Sequence, residues 1–171
     1  MINVPQTREL NGYTIVFSAD YDEYGYDCLD HLGRYSNFKM PMTDNQWLFH
    51  RNSESLMGMD GIWRDSKGRF VPEPEVSEYS REYQYIWHDN LDTREYVIQD
   101  CKRLESFGCG DFAVMYLSVV VTHSETGIQL GTASLSGIES DSDELYIQST
   151  FRELLHEALQ DARSNKAKLA A

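Results

Sequence analysis

The densest run of carboxylates in this 171-residue chain lies between Gly137 and Glu144, which reads G-I-E-S-D-S-D-E. Carboxylate oxygens are hard donors, so Glu139, Asp141 and Asp143 could hold a divalent cation for a metal-dependent enzyme. The same charges could dock on a cationic surface. They could also cap a helix, because Ser and Asp side chains accept the orphan N–H groups of a first turn and Glu144 suits a capping box. Capping accounts for one Ser or Asp and for Glu144, but it leaves Glu139 without a use.

A second acidic run, Asp20-Tyr21-Asp22-Glu23-Tyr24-Gly25-Tyr26-Asp27, opens like a calcium loop with acids at positions 1 and 3 and Gly at 6. Position 5 is then Tyr24, and position 12 is His31 where a bidentate Glu belongs, so the loop fails as a calcium site. Tyrosine gives rigid contact area with a polar tip, and its acidic neighbours attract Arg and Lys, which reads as a recognition loop. Glu75, Glu78 and Glu82 make a third group, whose helical spacing would set the acids about 5–6 Å apart.

Other chemistry finds no footing. His31, His50, His88, His123 and His156 form no H-x-E or H-E-x-x-H pattern and no ligand-spaced pair with a cysteine. Cys109 lies between Gly108 and Gly110 with no assignable base. No nucleophile elbow, Walker loop or dinucleotide fingerprint occurs. Three scattered cysteines, Cys28, Cys101 and Cys109, suit a reducing compartment better than a disulfide framework. No catalytic residue, metal or cofactor is therefore assigned.

The elements that must position these groups are clearest towards the C-terminus. Asp92-Thr93-Arg94-Glu95 resembles a capping box and Gly108 and Gly110 resemble helix stops, predicting a helix over about 93–107. Phe112–Thr122 is almost continuous β-former with both faces apolar, as in a central strand. Ser124-Glu125-Thr126-Gly127 then turns the chain into a second strand, completing a hairpin of 112–122 and 128–136. Gly131, Ala133 and Gly137 predict a close approach by another backbone. Ile147, Phe151, Leu154, Leu155, Ala158, Leu159 and Ala162 recur at 3–4 spacing, predicting a helix over about 142–164.

The N-terminal half, 1–90, is less regular. Tyr13–Ser18 reads as a strand, and Trp47-Leu48-Phe49 and Gly61-Ile62-Trp63 read as short strands or buried anchors. Asp65-Ser66-Lys67-Gly68 suits a tight turn between Ile62–Arg64 and Arg69–Val71. Past Pro74, Val76, Tyr79, Tyr83 and Ile86 suggest a short helix, while Tyr83, Tyr85 and Trp87 alternate as in a strand. The expectation is a single acidic α+β domain over 1–171, with a better-patterned part at 91–165. Its small antiparallel sheet contains the C-terminal hairpin, packed by the two helices.

Twenty-eight acids face fifteen bases, a net charge of −13 spread evenly along the chain. Such charge repels nucleic acid and anionic membranes and favours a basic partner. No apolar run reaches a membrane span and the first residues lack a secretory pattern, so a cytoplasmic protein is expected.

The segment Gly127-Ile128-Gln129-Leu130-Gly131-Thr132-Ala133-Ser134-Leu135, followed by Gly137-Ile138-Glu139-Ser140-Asp141-Ser142, resembles a group of small bacteriophage, prophage and plasmid proteins. They share a strand-turn-strand-helix ending around G-I-E-S-D-S, and the likeness covers roughly residues 94–163. Where that group commonly has an aromatic residue before the motif, this chain has Ser136. The group carries no established activity, so the resemblance implies a genetic context, a mobile-element protein made in a bacterial host cell. With the charge, it leads to the expectation of a non-enzymatic accessory protein. Such a protein would bind the basic surface of a host nucleic-acid-handling protein by nucleic-acid mimicry and so inhibit or redirect it, as anti-restriction and anti-CRISPR proteins do. The contact residues expected are Asp20, Asp22, Glu23, Asp27, Glu75, Glu78, Glu82, Glu139, Asp141 and Asp143. A metal enzyme built on Glu139, Asp141 and Asp143, and an assembly protein whose charge only keeps it dissolved, are the alternatives.

Overall fold

The structure is a computed structural model that describes residues 6–37, 39, 46–58, 60–75, 83–89 and 93–169. In chain order the strands and helices are β1 (Gln6–Leu10), β2 (Tyr13–Tyr21), β3 (Arg34–Ser36), β4 (Trp47–His50), β5 (Ser55–Met57), β6 (Trp63–Arg64), β7 (Tyr85–His88), α1 (Arg94–Cys109), β8 (Val114–His123), β9 (Gln129–Glu139) and α2 (Glu144–Leu169). A 3-10 helix, Gly25–Leu32, follows β2. No helix among the described residues is long and apolar enough to cross a membrane.

The expected α+β class holds, and the elements divide between two compact units. The first contains Met1–Tyr26 and Phe112–Ala171, and the second is Asp27–Asp111. This division does not follow the boundary at residue 90 that patterning suggests. The N-terminal strands join the C-terminal hairpin, and α1 belongs to the second unit.

In the first unit the four strands run antiparallel in the order β1-β2-β8-β9. Asn11 and Gly12, both at positive φ (52° and 81°), form the two-residue turn that joins β1 to β2. Alternation places Ile15 and Phe17 of β2 with Leu117, Val119 and Val121 of β8 on one face. There they meet Ile147, Leu154, Ala158 and Ala162 of α2 in the core. The opposite face is polar; Ser18 Oγ and Ser118 Oγ lie 2.7 Å apart across the β2–β8 pair. β8 is thus central in strand order but covered on one face only, and Tyr116 on the other is 39% exposed. Continuous apolarity overstated its burial because Ser118 and Thr122 interrupt the second face.

Gly131 bears out the expected close approach, since a Cβ there would stand 2.1 Å from the Ala158 carbonyl oxygen. Near Gly137 (φ 80°), β9 carries one residue more than β8 between the Met115–Ile138 and Leu117–Leu135 pairs. This bulge shifts the alternation, so Ile138 enters the core at 3% exposure.

In the second unit five antiparallel strands run in the order β3-β7-β4-β5-β6. α1 packs on β4 and β7 rather than on the C-terminal hairpin. It buries Val97, Ile98, Cys101 and Leu104, and Tyr35 donates a 2.7 Å hydrogen bond to the Leu104 carbonyl. Leu48, Met57, Trp63, Tyr85 and Trp87 form a second apolar cluster. Trp63 and Phe49 are core residues, at 4% and 0% exposure. The Asp65–Gly68 turn forms as expected; the Asp65 carboxylate accepts from the backbone N–H groups of Lys67 and Arg69, both at 2.9 Å.

The ends of α1 depart from expectation. Thr93 is the N-cap and makes no side-chain cap bond, so the capping box does not form. Gly110 is the left-handed stop (φ 81°), while Gly108 lies inside the helix. The helix suggested by Val76 and Tyr79 falls on 76–82, outside the described residues; the alternating segment after it is β7.

Candidate functional site

The expected contact residues do not form one surface, but two of the three acidic groups meet. Asp20 and Tyr21 close β2 opposite Tyr116 and Met115 of β8. At the same end, Val114 and Met115 pair with Glu139 and Ile138 of β9. Asp22 N–H donates to the Val114 carbonyl at 3.0 Å, and Ser140 N–H to the Ala113 carbonyl at 2.7 Å. One end of the sheet therefore carries Asp20, Asp22 and Glu23 from one side and Glu139, Asp141, Asp143 and Glu144 from the other. The β2 and β9 ends flank β8, which sets them about 10 Å apart. Asp27 follows in the 3-10 helix and belongs to the second unit. Glu75 is exposed in that unit, outside regular structure, and Glu78 and Glu82 lie outside the described residues.

These carboxylates have different duties. Asp143 caps α2, accepting from Leu145 N–H at 2.8 Å and Tyr146 N–H at 3.3 Å. Asp22 Oδ1 accepts from Tyr24 N–H at 3.0 Å and shapes the turn after β2. The capping reading therefore holds for Asp143. Glu139 owes its place to the bulge, which turns its neighbour Ile138 inward. Among the described residues no three His, Cys, Asp or Glu side chains are grouped so as to hold a metal ion.

Charge is polarised within the first unit. It holds twelve acids and five bases, for a net −7 against −6 in the second unit. Three of its bases, Arg163, Lys166 and Lys168, lie near the C-terminal end of α2. Lys166 Nζ stands 5.3 Å from the Tyr13 ring centroid, at the far end of β2 from Asp20. In the second unit, by contrast, Glu54, Asp60, Asp65, Glu73, Asp89 and Glu105 each pair with a Lys or Arg.

The acidic end also exposes large side chains. Tyr21 and Tyr24 are 77% and 75% exposed, and Leu145 is 74% exposed in the first turn of α2. Tyr146 and Tyr116 are also exposed there. Sequence reasoning found the tyrosines of 20–27 but missed Leu145, Tyr146 and Tyr116. The signal for the first two was their position off the 3–4 stripe that begins at Ile147. Patches of exposed aromatic and aliphatic side chains mark interaction surfaces.

A pH-sensitive group lies elsewhere. Burial holds the His50 imidazole below its ordinary pKa. Ser53 N–H donates to its Nδ1 at 3.3 Å, which assigns the ring proton to Nε2. Burial pushes the Cys101 thiol far up, with the Asp100 and Glu105 charges adding to the effect.

No protein-family model, curated protein or solved structure matches the chain.

Proposed function

We propose that this protein is a non-catalytic binding protein whose acidic end, around Asp20, Glu23, Glu139 and Asp141, docks on the basic surface of a nucleic-acid-handling protein. The reading extends to a mobile-element protein that blocks or redirects a bacterial host factor by standing in for nucleic acid. One observation carries it: carboxylates distant in sequence share one end of a sheet whose basic groups gather at the other end. Clefts that bind DNA are lined with Lys and Arg, because duplex DNA presents one charge per about 1.7 Å. A rigid sheet end bearing carboxylates and exposed tyrosines offers such a cleft both charge and contact area.

The test is capture from a bacterial lysate by the tagged full chain, with and without the changes Asp20→Lys, Glu23→Lys, Glu139→Lys and Asp141→Lys. Asp22 and Asp143 are left intact because they hold a turn and a cap. The expected result is a nucleic-acid-handling protein that duplex DNA and added salt both displace, and that the quadruple variant does not capture. Equal capture by the variant, or a captured protein indifferent to DNA, would overturn the reading.

A further inference from the structure

β9 is the longest strand, at 11 residues, and it ends the sheet. An edge strand turns alternate N–H and C=O groups away from its neighbour, leaving a template for another strand. Proteins usually protect such an edge with charge, and β1 at the opposite edge carries Arg8 and Glu9 in its middle. From Gln129 to Ile138, β9 carries no charge and no proline. Thr132, Ser134, Leu135, Ser136 and Gly137 are exposed, with Leu135 at 43%.

The polarity of the unit selects the occupant. α2 begins just beyond the acidic end of β9 and returns along it, and Asn165 Nδ2 donates to the Leu130 carbonyl at 2.8 Å. The last turns of α2, with Arg163 and Lys168, therefore lie beside the start of β9, and Glu139 and Asp141 lie at its finish. An antiparallel copy of the same edge brings each basic end against an acidic end. A parallel copy would oppose like charges.

We propose that β9 pairs antiparallel with β9 of a second copy of this chain, about a two-fold axis near Ser134. The pairing makes a continuous eight-stranded sheet from two four-stranded ones. Gln129 then stands opposite Glu139 of the other copy, and Ser134 opposite itself. The acidic ends of the two copies point in opposite directions, so the dimer offers two docking surfaces. This inference stands apart from the functional reading and does not depend on it.

Sedimentation of the full chain over a range of concentrations tests the pairing, with twice the 19.8 kDa chain mass as the expected upper limit. Ser134→Lys combined with Ser136→Lys faces like charges across the axis and should weaken the dimer by at least about fivefold, with the far-UV spectrum unchanged. The register is tested separately in a Cys28→Ser, Cys109→Ser background. There Ser134→Cys should cross-link to a dimer on oxidation, and Thr126→Cys in the hairpin turn should not. A chain that sediments as a monomer at every concentration overturns the proposal. So does a dimer that the lysines leave intact or that Ser134→Cys fails to link.

Discussion

Replacing Gly131 with Ala tests how closely α2 rests on the sheet. The added Cβ would lie 2.1 Å from the Ala158 carbonyl oxygen and 2.8 Å from the Ala162 nitrogen. Carbon–oxygen contacts settle near roughly 3.3 Å, so the helix must recede by about 1.2 Å. Both obstructing atoms are backbone, and no rotamer change relieves them. A gap of that size forfeits about half the dispersion energy of the affected contacts. Overpacking of this kind costs about 1–3 kcal/mol. Gly131 is not at positive φ, so alanine recovers about 0.4–1 kcal/mol by restricting the unfolded chain. The net expectation is a loss of about 1–2 kcal/mol. For a unit of this size that lowers the melting temperature by about 4–16 °C. Urea unfolding followed by far-UV circular dichroism reads the loss, with Thr132→Ala as the exposed control. Adding Ala158→Gly should not restore stability, because the clash is with the carbonyl. A Gly131→Ala protein as stable as the wild type would refute the helix placement.

Native protein should react with a thiol reagent at Cys28 and Cys109, which are exposed, and at buried Cys101 only after unfolding; three rapidly reacting thiols would contradict this packing. His50, held below its ordinary value of 6.5, favours folding fully above pH 6.5, and its contribution is lost as pH falls below that value towards the folded-state pKa. Melting temperatures between pH 7 and pH 5 should therefore decline less in His50→Gln than in the wild type, and parallel declines would remove His50 as the cause. Asp143→Ala removes the α2 cap and should cost about 1 kcal/mol, whereas Asp141→Ala should change stability by under about 0.5 kcal/mol; equal losses in urea unfolding would contradict these separate roles.

Much of the fold could be read wherever local chemistry and packing agree. α2 combines a capping Asp with an apolar stripe, and the β8–β9 hairpin combines β-formers with a Gly turn at 127. β1 escaped notice because all five of its residues are exposed, which leaves no apolar alternation to detect. The Asn11-Gly12 turn was its one local signal. Thr93 resembled a cap, but cap geometry depends on side-chain direction, which residue types alone do not give. The meeting of 20–23 with 139–144 is a product of β2–β8 and β8–β9 pairing, and no local pattern spans that separation. Glu75, Glu78 and Glu82 seemed equivalent to the other acidic groups because charge carries no record of which sheet it will join.

The pairing of Val16 with Val120 has a consequence for synthesis. Everything from Asp27 to Asp111 must leave the ribosome before β2 can find its central neighbour. The second unit is one contiguous stretch and is free to fold first, as domains do during translation. The β1–β2 hairpin must wait meanwhile, holding Ile15 and Phe17 without their partners. Closing so long a loop adds little to the equilibrium cost, since each doubling of length adds only about 0.6 kcal/mol. The delay falls instead on folding rate, and it leaves the nascent N-terminus as the part of the chain most in need of a chaperone.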